Sequence, residues 1–239
     1  MARRRARRRE RTYLASFLAI SFFLGLLLGA VLVSTWMSEL PALQLADGEN
    51  YTRSIMIVGI EKSTGEGMLA TLKVGLTAGQ GRLLINVPPW ENEDTQESFF
   101  DARDAAEHWS ILETGQSLEQ VDVIVSLENL SEGTTIAGPS ASAAMAVALV
   151  AMIHASENIE PNQVRQNAVV SASIGSTGVL MPVGGIKTKY EEVRAGGFSL
   201  FIVASTQGGH LPNYPDIQVE KVRNLHELVT REDLILIGS

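Results

Sequence analysis

The sequence contains no cysteine. That absence excludes disulfides, thiolate metal sites and a cysteine nucleophile together, and it leaves the redox compartment open. Histidine is nearly as scarce: His108, His154, His210 and His226 lie scattered along 239 residues without zinc-ligand spacing. His154, near the end of an apolar stretch, reads as a cap or core residue. Also missing are a Gly-x-x-x-x-Gly-Lys-Ser/Thr loop, a His-Glu-x-x-His pair and a Gly-x-Ser-x-Gly elbow. Nucleotide hydrolysis and zincin chemistry are thereby disfavoured, and no cofactor or metal is expected.

Basic residues are sparse outside the N-terminus. Residues 1–12 hold seven arginines against Glu10, which leaves 12 Lys and Arg against 26 Asp and Glu from Met37 onward, a net −14. A surface so acidic repels polyanions, so no nucleic acid is expected as a partner of the main domain.

What the chain has in excess, near its start, is apolar length. No charged residue occurs between Tyr13 and Trp36, and Leu14–Val33 is an apolar run of 20. As a helix this spans a hydrocarbon core of about 30 Å. A cleaved signal peptide is the rival reading, but its apolar region runs roughly 7–15 residues and ends at small residues. Here the run is longer and leads into Trp36 and Met37. The arginines before it and Glu39, Asp47 and Glu49 after it orient the segment by the positive-inside rule. The expected organisation is a basic cytoplasmic tail (1–12), a single-pass transmembrane anchor in the lipid bilayer (13–36), a linker (37–50) and an extracytoplasmic domain (51–239). The alternative for the arginines, a nucleic-acid-binding tail, is weaker because anionic lipid is the nearer partner. Two sequons, at Asn50 and Asn129, arise too easily by chance to decide anything.

The length suits one well-cored domain plus an appendage. Ser54–Ile60, Met68–Thr77 and Arg82–Val87 are rich in Val, Ile and Leu between glycine-containing turns and read as a β-meander. Glu97–Trp109 has helical spacing, and Val121–Leu127 alternates like a strand. Ser140–His154 is apolar around its whole circumference, so as a helix it must be buried. Ala168–Ile174 reads as a strand, Lys187–Ala195 as a helix stopped by Gly196-Gly197, and Ser199–Ala204 as a strand. Shorter strands are expected near Ile217–Glu220 and Leu234–Ile237. The fold class is therefore α/β, with mixed sheets and packed helices (α+β).

Two places could carry chemistry. Ser140 opens the buried helix just after Gly138-Pro139, at the positive end of a helix dipole beside unpaired N–H groups. Such donors stabilise an oxyanion, although a serine before a helix is ordinarily a cap. Further on, Pro182-Val183-Gly184-Gly185 leads into a helix with Lys187 and Lys189. Residues i and i+2 point to different sides of a helix, so at most one faces inward.

Gly138-Pro139-Ser140-Ala141-Ser142 before an apolar helix, followed by Pro182-Val183-Gly184-Gly185 with Lys189, resembles the two active-site motifs of the Lon protease proteolytic domain. The Ser-Ala-Ser form is similar to the archaeal, membrane-associated branch. The resemblance runs over about residues 54–205, and it implies a serine peptidase acting on polypeptide with a Ser-Lys dyad. It assigns the nucleophile to Ser140 and the general base to Lys189, the last residue of Gly-Gly-x-x-x-Lys, with Lys187 as the alternative. Ser171, 18 positions before that lysine, takes the place of a hydroxyl that bonds the amine. The resemblance also implies a homo-oligomer, a hexameric ring, here without the AAA+ ATPase module. Two features depart from the family pattern: Ala137-Gly138-Pro139 replaces the usual acidic residue, and the Ser-to-Lys spacing of 49 is longer, with the extra length around Glu157–Asn167. A catalytically inactive Lon-like peptide-binding or scaffolding module is the alternative from another class, and signal-peptide processing shares the dyad chemistry.

Overall fold

The computed structural model describes residues 40–46, 48–86, 93–129 and 138–238. The tail and the apolar segment expected at 13–36 lie outside them. From Pro41 onward the described chain forms one unit, a mixed α/β fold of four small sheets and packed helices.

Strand β1 (Asn50–Ile60) pairs antiparallel along its whole length with β2 (Gly67–Ala78), as their alternating β-branched residues predict. The expected meander ends there. β4 (Val121–Glu128) pairs antiparallel with β2, and β3 (Leu83–Asn86) lies outside it, parallel to β4, giving the order β1-β2-β4-β3. The reason is local. The Asp122 carboxylate accepts the backbone N–H groups of Gln80 at 2.8 Å and Arg82 at 2.9 Å, and also the Arg82 guanidinium. Gly79 carries no side chain where a Cβ would overlap Asp122. The chain leaving β2 is thus pinned to the start of β4 and cannot turn back beside β2. Helix α1 (Glu93–Glu113), longer than the periodicity marked, forms the crossover from β3 to β4.

A 3-10 turn (Pro139–Ala141) precedes helix α2 (Ser142–Ser156), which is buried at every position from Ser142 to His154. This is the one helical stretch among the described residues long and apolar enough to cross a membrane. Its burial makes it the core helix instead, packed on α1, β1 and β2. The stretch read as one strand at 168–174 is two. β6 (Ala168–Ser171) runs parallel to β9 (Leu200–Ala204), and β7 (Ser173–Ile174) pairs with β8 (Leu180–Met181). Ala172 is the break. Beyond it lie α3 (Ile186–Ala195) and β10 (Gln218–Val222), which pairs parallel to β9. Helix α4 (Leu225–Thr230), unmarked by any periodicity in six residues, is capped by Asn224, whose side chain accepts the Glu227 N–H. β11 (Leu236–Ile237) pairs with β5 (Gln163–Val164).

The main core surrounds α2, between the four-stranded sheet and one face of the β6-β9-β10 sheet. Its reach extends upstream, because Leu43 is fully buried and Ala42 bridges to Ser117. Residues 41–45 are therefore packed chain, although they fall inside the stretch read as a linker. A second apolar cluster lies on the other face of that sheet, beneath α3.

Asp122 supports the strand order electrostatically as well as sterically. Its hydrogen bonds with Arg82 and the two backbone N–H groups hold the carboxyl well below the usual carboxylate range. A carboxyl depressed in the folded state stabilises the fold above the unfolded pKa of about 3.9, and that stability is lost as pH falls below it. Asp122→Asn is expected to cost about 2–3 kcal/mol at neutral pH and to flatten the acid limb of stability below about pH 4. Urea titrations of both proteins from pH 3 to 7 measure this.

Candidate active site

Ser140 sits in the 3-10 turn, one step earlier than the α-helical start expected of it. Gly138 adopts φ 99°, which L side chains rarely occupy, and Pro139 then fixes the first position of the turn. The Ser140 side chain is buried and caps nothing. Neither the turn nor α2 has a side-chain cap hydrogen bond. Its hydroxyl instead donates to the Val58 carbonyl of β1 at 3.5 Å, a long and weak bond that leaves Oγ free to rotate. With no side-chain cap, the N–H groups here turn to backbone acceptors where they are bonded, Ser142 N–H to the Pro139 carbonyl and Ala143 N–H to the Ala172 carbonyl.

Ser142 holds the turn in place, a role its position in the sequence did not reveal. Its hydroxyl donates to the Pro139 carbonyl at 2.8 Å and accepts the Ile174 N–H at 3.1 Å. The Ala143 N–H reaches the Ala172 carbonyl. The turn is thereby tied to the junction of β6 and β7. A hydroxyl at a position buried within an alanine-rich helix start was the available signal.

Lys189 stands on α3, which also packs against β1. Ile186, Lys189, Tyr190 and Val193 form the inward stripe of α3, spaced i, i+3, i+4 and i+7, while Lys187 is exposed. Helix α3 lies against β1 and β2 through two glycine contacts. Gly185, at φ 65°, begins the helix where an added Cβ would overlap Ile60. Gly67 on β2 leaves room for Glu192 and the Thr188 carbonyl. Pressed this close, Lys189 retains only 4% of its exposure and has no carboxylate partner among the described residues. Burial pushes its ammonium down to about 8.

Ser171 ends β6, fully buried, and its hydroxyl has no hydrogen-bond partner among the described residues. An orphaned buried hydroxyl costs about 1–3 kcal/mol. The 3-10 turn, β6 and α3 all pack against β1, which is the common wall of the three sequence-marked residues. His154 is elsewhere: its Nδ1–H donates to the Pro161 carbonyl at 2.6 Å and its ring packs on Trp109. It is a core residue.

Residues 63–235 match the family model of the Lon protease (S16) C-terminal proteolytic domain. The chain belongs to this family. It is 27% identical over 192 residues to the Lon protease of Erwinia amylovora, an overlap of 77% of this chain and 23% of that protein. Against the Lon protease of Escherichia coli K12 the identity is 27% over 193 residues, again 77% and 23%. Lon protease 2 of Syntrophobacter fumaroxidans is 27% identical over 182 residues, covering 75% of this chain and 22% of the relative. The chain thus spans under a quarter of the length of these Lon proteases. The family match takes in Ser140, Ser171 and Lys189.

A lysine buried without a counter-ion is a cost to the fold. Its unfolded pKa of about 10.4 exceeds the folded value, so between about pH 8 and 10.4 the unfolded chain binds more protons and stability rises with pH. Lys189→Met is expected to stabilise the domain at pH 7 by roughly 2–3 kcal/mol, with the gap closing as pH approaches 10. Denaturation at pH 7, 8.5 and 10 tests both the sign and the closure.

Proposed function

We propose that the chain is a membrane-anchored serine endopeptidase that cleaves unfolded or exposed polypeptide segments with a Ser140–Lys189 dyad and without ATP. What supports this reading is an uncapped, buried serine hydroxyl and a lysine that burial has brought to about 8, on two elements that each pack against β1. A serine hydroxyl needs a base to take its proton, and an amine serves only when neutral. A solvated lysine is the wrong species at pH 7. With a pKa of about 8, Lys189 is neutral in a useful fraction of molecules and still basic enough to act.

The chemistry follows from that. Neutral Lys189 Nζ takes the Ser140 proton as Oγ attacks the peptide carbonyl carbon. The oxyanion forms beside the N–H groups at the start of the helix. Collapse breaks the C–N bond, and the Lys189 ammonium returns its proton to the leaving amine. Lys189 then deprotonates a water that attacks the acyl carbon, and its ammonium returns that proton to the departing Ser140 Oγ as the acid product is released. The Ser171 hydroxyl, which makes no bond to the amine in the resting structure, can accept and donate and takes the amine as its partner during the reaction.

Acylation should therefore rise with pH through a midpoint of about 8. Ser140→Ala and Lys189→Met are expected to remain folded and lose at least about 100-fold in kcat/KM. Peptide hydrolysis and a pH profile from 6 to 10 test this. Full hydrolysis by either folded variant would overturn the dyad, and no hydrolysis by the unmutated protein would favour the catalytically inactive binding module.

Within this reading residues 13–36 anchor the chain in the bilayer, N-terminus inside, and several copies assemble, as a hexamer in the fullest form. Within the same reading the substrate is already unfolded or exposed, so cleavage needs no nucleotide-driven unfolding. Full-length protein in nanodiscs should cleave a loosely folded protein such as casein equally with and without ATP. A strict ATP requirement would overturn that part of the reading.

A further inference from the structure

A cavity of about 470 Å³ opens on the face of the β6-β9-β10 sheet that α3 covers, bounded by the loop between β9 and β10. Its floor is apolar, made by Tyr190, Val203, Ile217 and Val219. Its rim is polar: His210, Asn213, Gln218 and Lys221. No Asp or Glu lines it, in a domain whose charge is strongly acidic. Of the acidic residues nearest in the chain, Asp216 pairs with Arg194 at 2.9 Å, while Glu220 pairs with Arg231 at 3.1 Å and accepts the Gln218 side-chain amide at 2.6 Å, which leaves Lys221 as the cation of the rim. The cavity thus offers the Lys221 cation over an apolar floor, with no carboxylate in its lining and the nearest, Glu220, already bonded to Arg231 and Gln218.

Lys221 is also positioned. Its Nζ donates to the Gln207 carbonyl at 3.3 Å, which uses one of three ammonium hydrogens and leaves two for a ligand. We propose that this cavity binds an amphipathic carboxylate: a short apolar body lying on Val219 and Ile217, its carboxylate taken by Lys221 and the rim beside it. Pockets of this size, mostly apolar with a few convergent polar groups, are the usual form of a small-molecule site. A polypeptide C-terminus with an apolar last residue and a free aliphatic acid share this chemistry.

The site is mechanically joined to the helix carrying Lys189. Gln207, at the cavity's inner end, pairs with the Val183 backbone in both directions, accepting its N–H at 2.9 Å and donating to its carbonyl at 3.2 Å. Val183 stands two residues before Gly185, where α3 begins. Tyr190, next to Lys189, donates its hydroxyl to the Pro212 carbonyl of the same loop at 2.9 Å. A bound carboxylate contacts the loop and the lysine that anchor these bonds, so occupancy bears on the setting of α3.

Binding itself does not depend on the peptidase reading, and the test is arranged accordingly. Full-length Ser140→Ala protein in nanodiscs is titrated by ligand-detected NMR with N-acetylated dileucine, its C-terminal amide, hexanoate and hexanol, with empty nanodiscs as the blank. At least one of the two carboxylates should bind at least tenfold more tightly than its uncharged counterpart. That preference should disappear in Lys221→Met, and binding should be abolished in Val219→Trp, which fills the cavity. Lys73→Met, a charge deletion outside the lining, should change nothing. Binding of the peptide acid alone identifies polypeptide ends as the source; binding of hexanoate admits free aliphatic acids. If neither carboxylate binds, or if binding persists undiminished in both Lys221→Met and Val219→Trp, the proposal is wrong.

Discussion

The close seating of α3 on β1 and β2 is the constraint on which the site depends. A helix crossing two strands at ordinary distance would leave a lysine room to carry its ammonium to water along its flexible stem. Gly185 and Gly67 remove that room: a Cβ on Gly67 would overlap Cβ of Glu192, and one on Gly185, strained at φ 65°, would meet the tip of the Ile60 side chain. The helix comes down, Lys189 is closed in with Ile186, Tyr190 and Val193, and desolvation does the rest. The basicity of one amine is thus set by two missing methyl groups in neighbouring elements. The fold bears the cost, as a buried cation without a partner is unfavourable.

The serine side is held by hydrogen bonds rather than by close packing. Ser142 ties the turn of Pro139 to β7, and the bond from Ala143 to Ala172 ties it to the junction at the end of β6, where Ser171 lies. Both halves meet β1, the longest-range organiser of the domain. β1 owes its place to β2, and β2 to the sheet order set by Asp122. A buried carboxylate outside both motifs therefore bears, through the strand order, on the wall against which both are packed. Gln207 plays the matching part on the lysine side, bracing Val183 just before the helix begins.

Much of this was legible beforehand. The core helix was marked by apolar residues all round, the lysine helix by its glycine stop, and the ends of β1, β2, β4 and β9 fell within a few residues of where β-branched runs placed them. The errors share a physical cause. The meander failed because strand order is a long-range property, decided by Asp122 reaching back to Gln80 and Arg82 over about forty residues of chain. The break at Ala172 was invisible because both halves of 168–174 are equally apolar, and only their different partners, β9 and β8, separate them. Helix α4 was too short for periodicity to register.

By itself the sequence determined which residue types stood where: a serine after Gly138-Pro139, a lysine in register with Gly184-Gly185, an apolar run long enough to span a bilayer, and the family to which the chain belongs. These are local patterns, readable because helix and turn chemistry act over a few residues. What only the tertiary structure decided is the state of those groups. Whether Ser140 caps a helix or stays free, whether Lys189 or Lys187 is buried, and whether Ser171 finds a partner depend on atoms brought from β1, β2 and β7. Burial and proton affinity belong to surroundings, and the surroundings of each residue are supplied by distant parts of the chain.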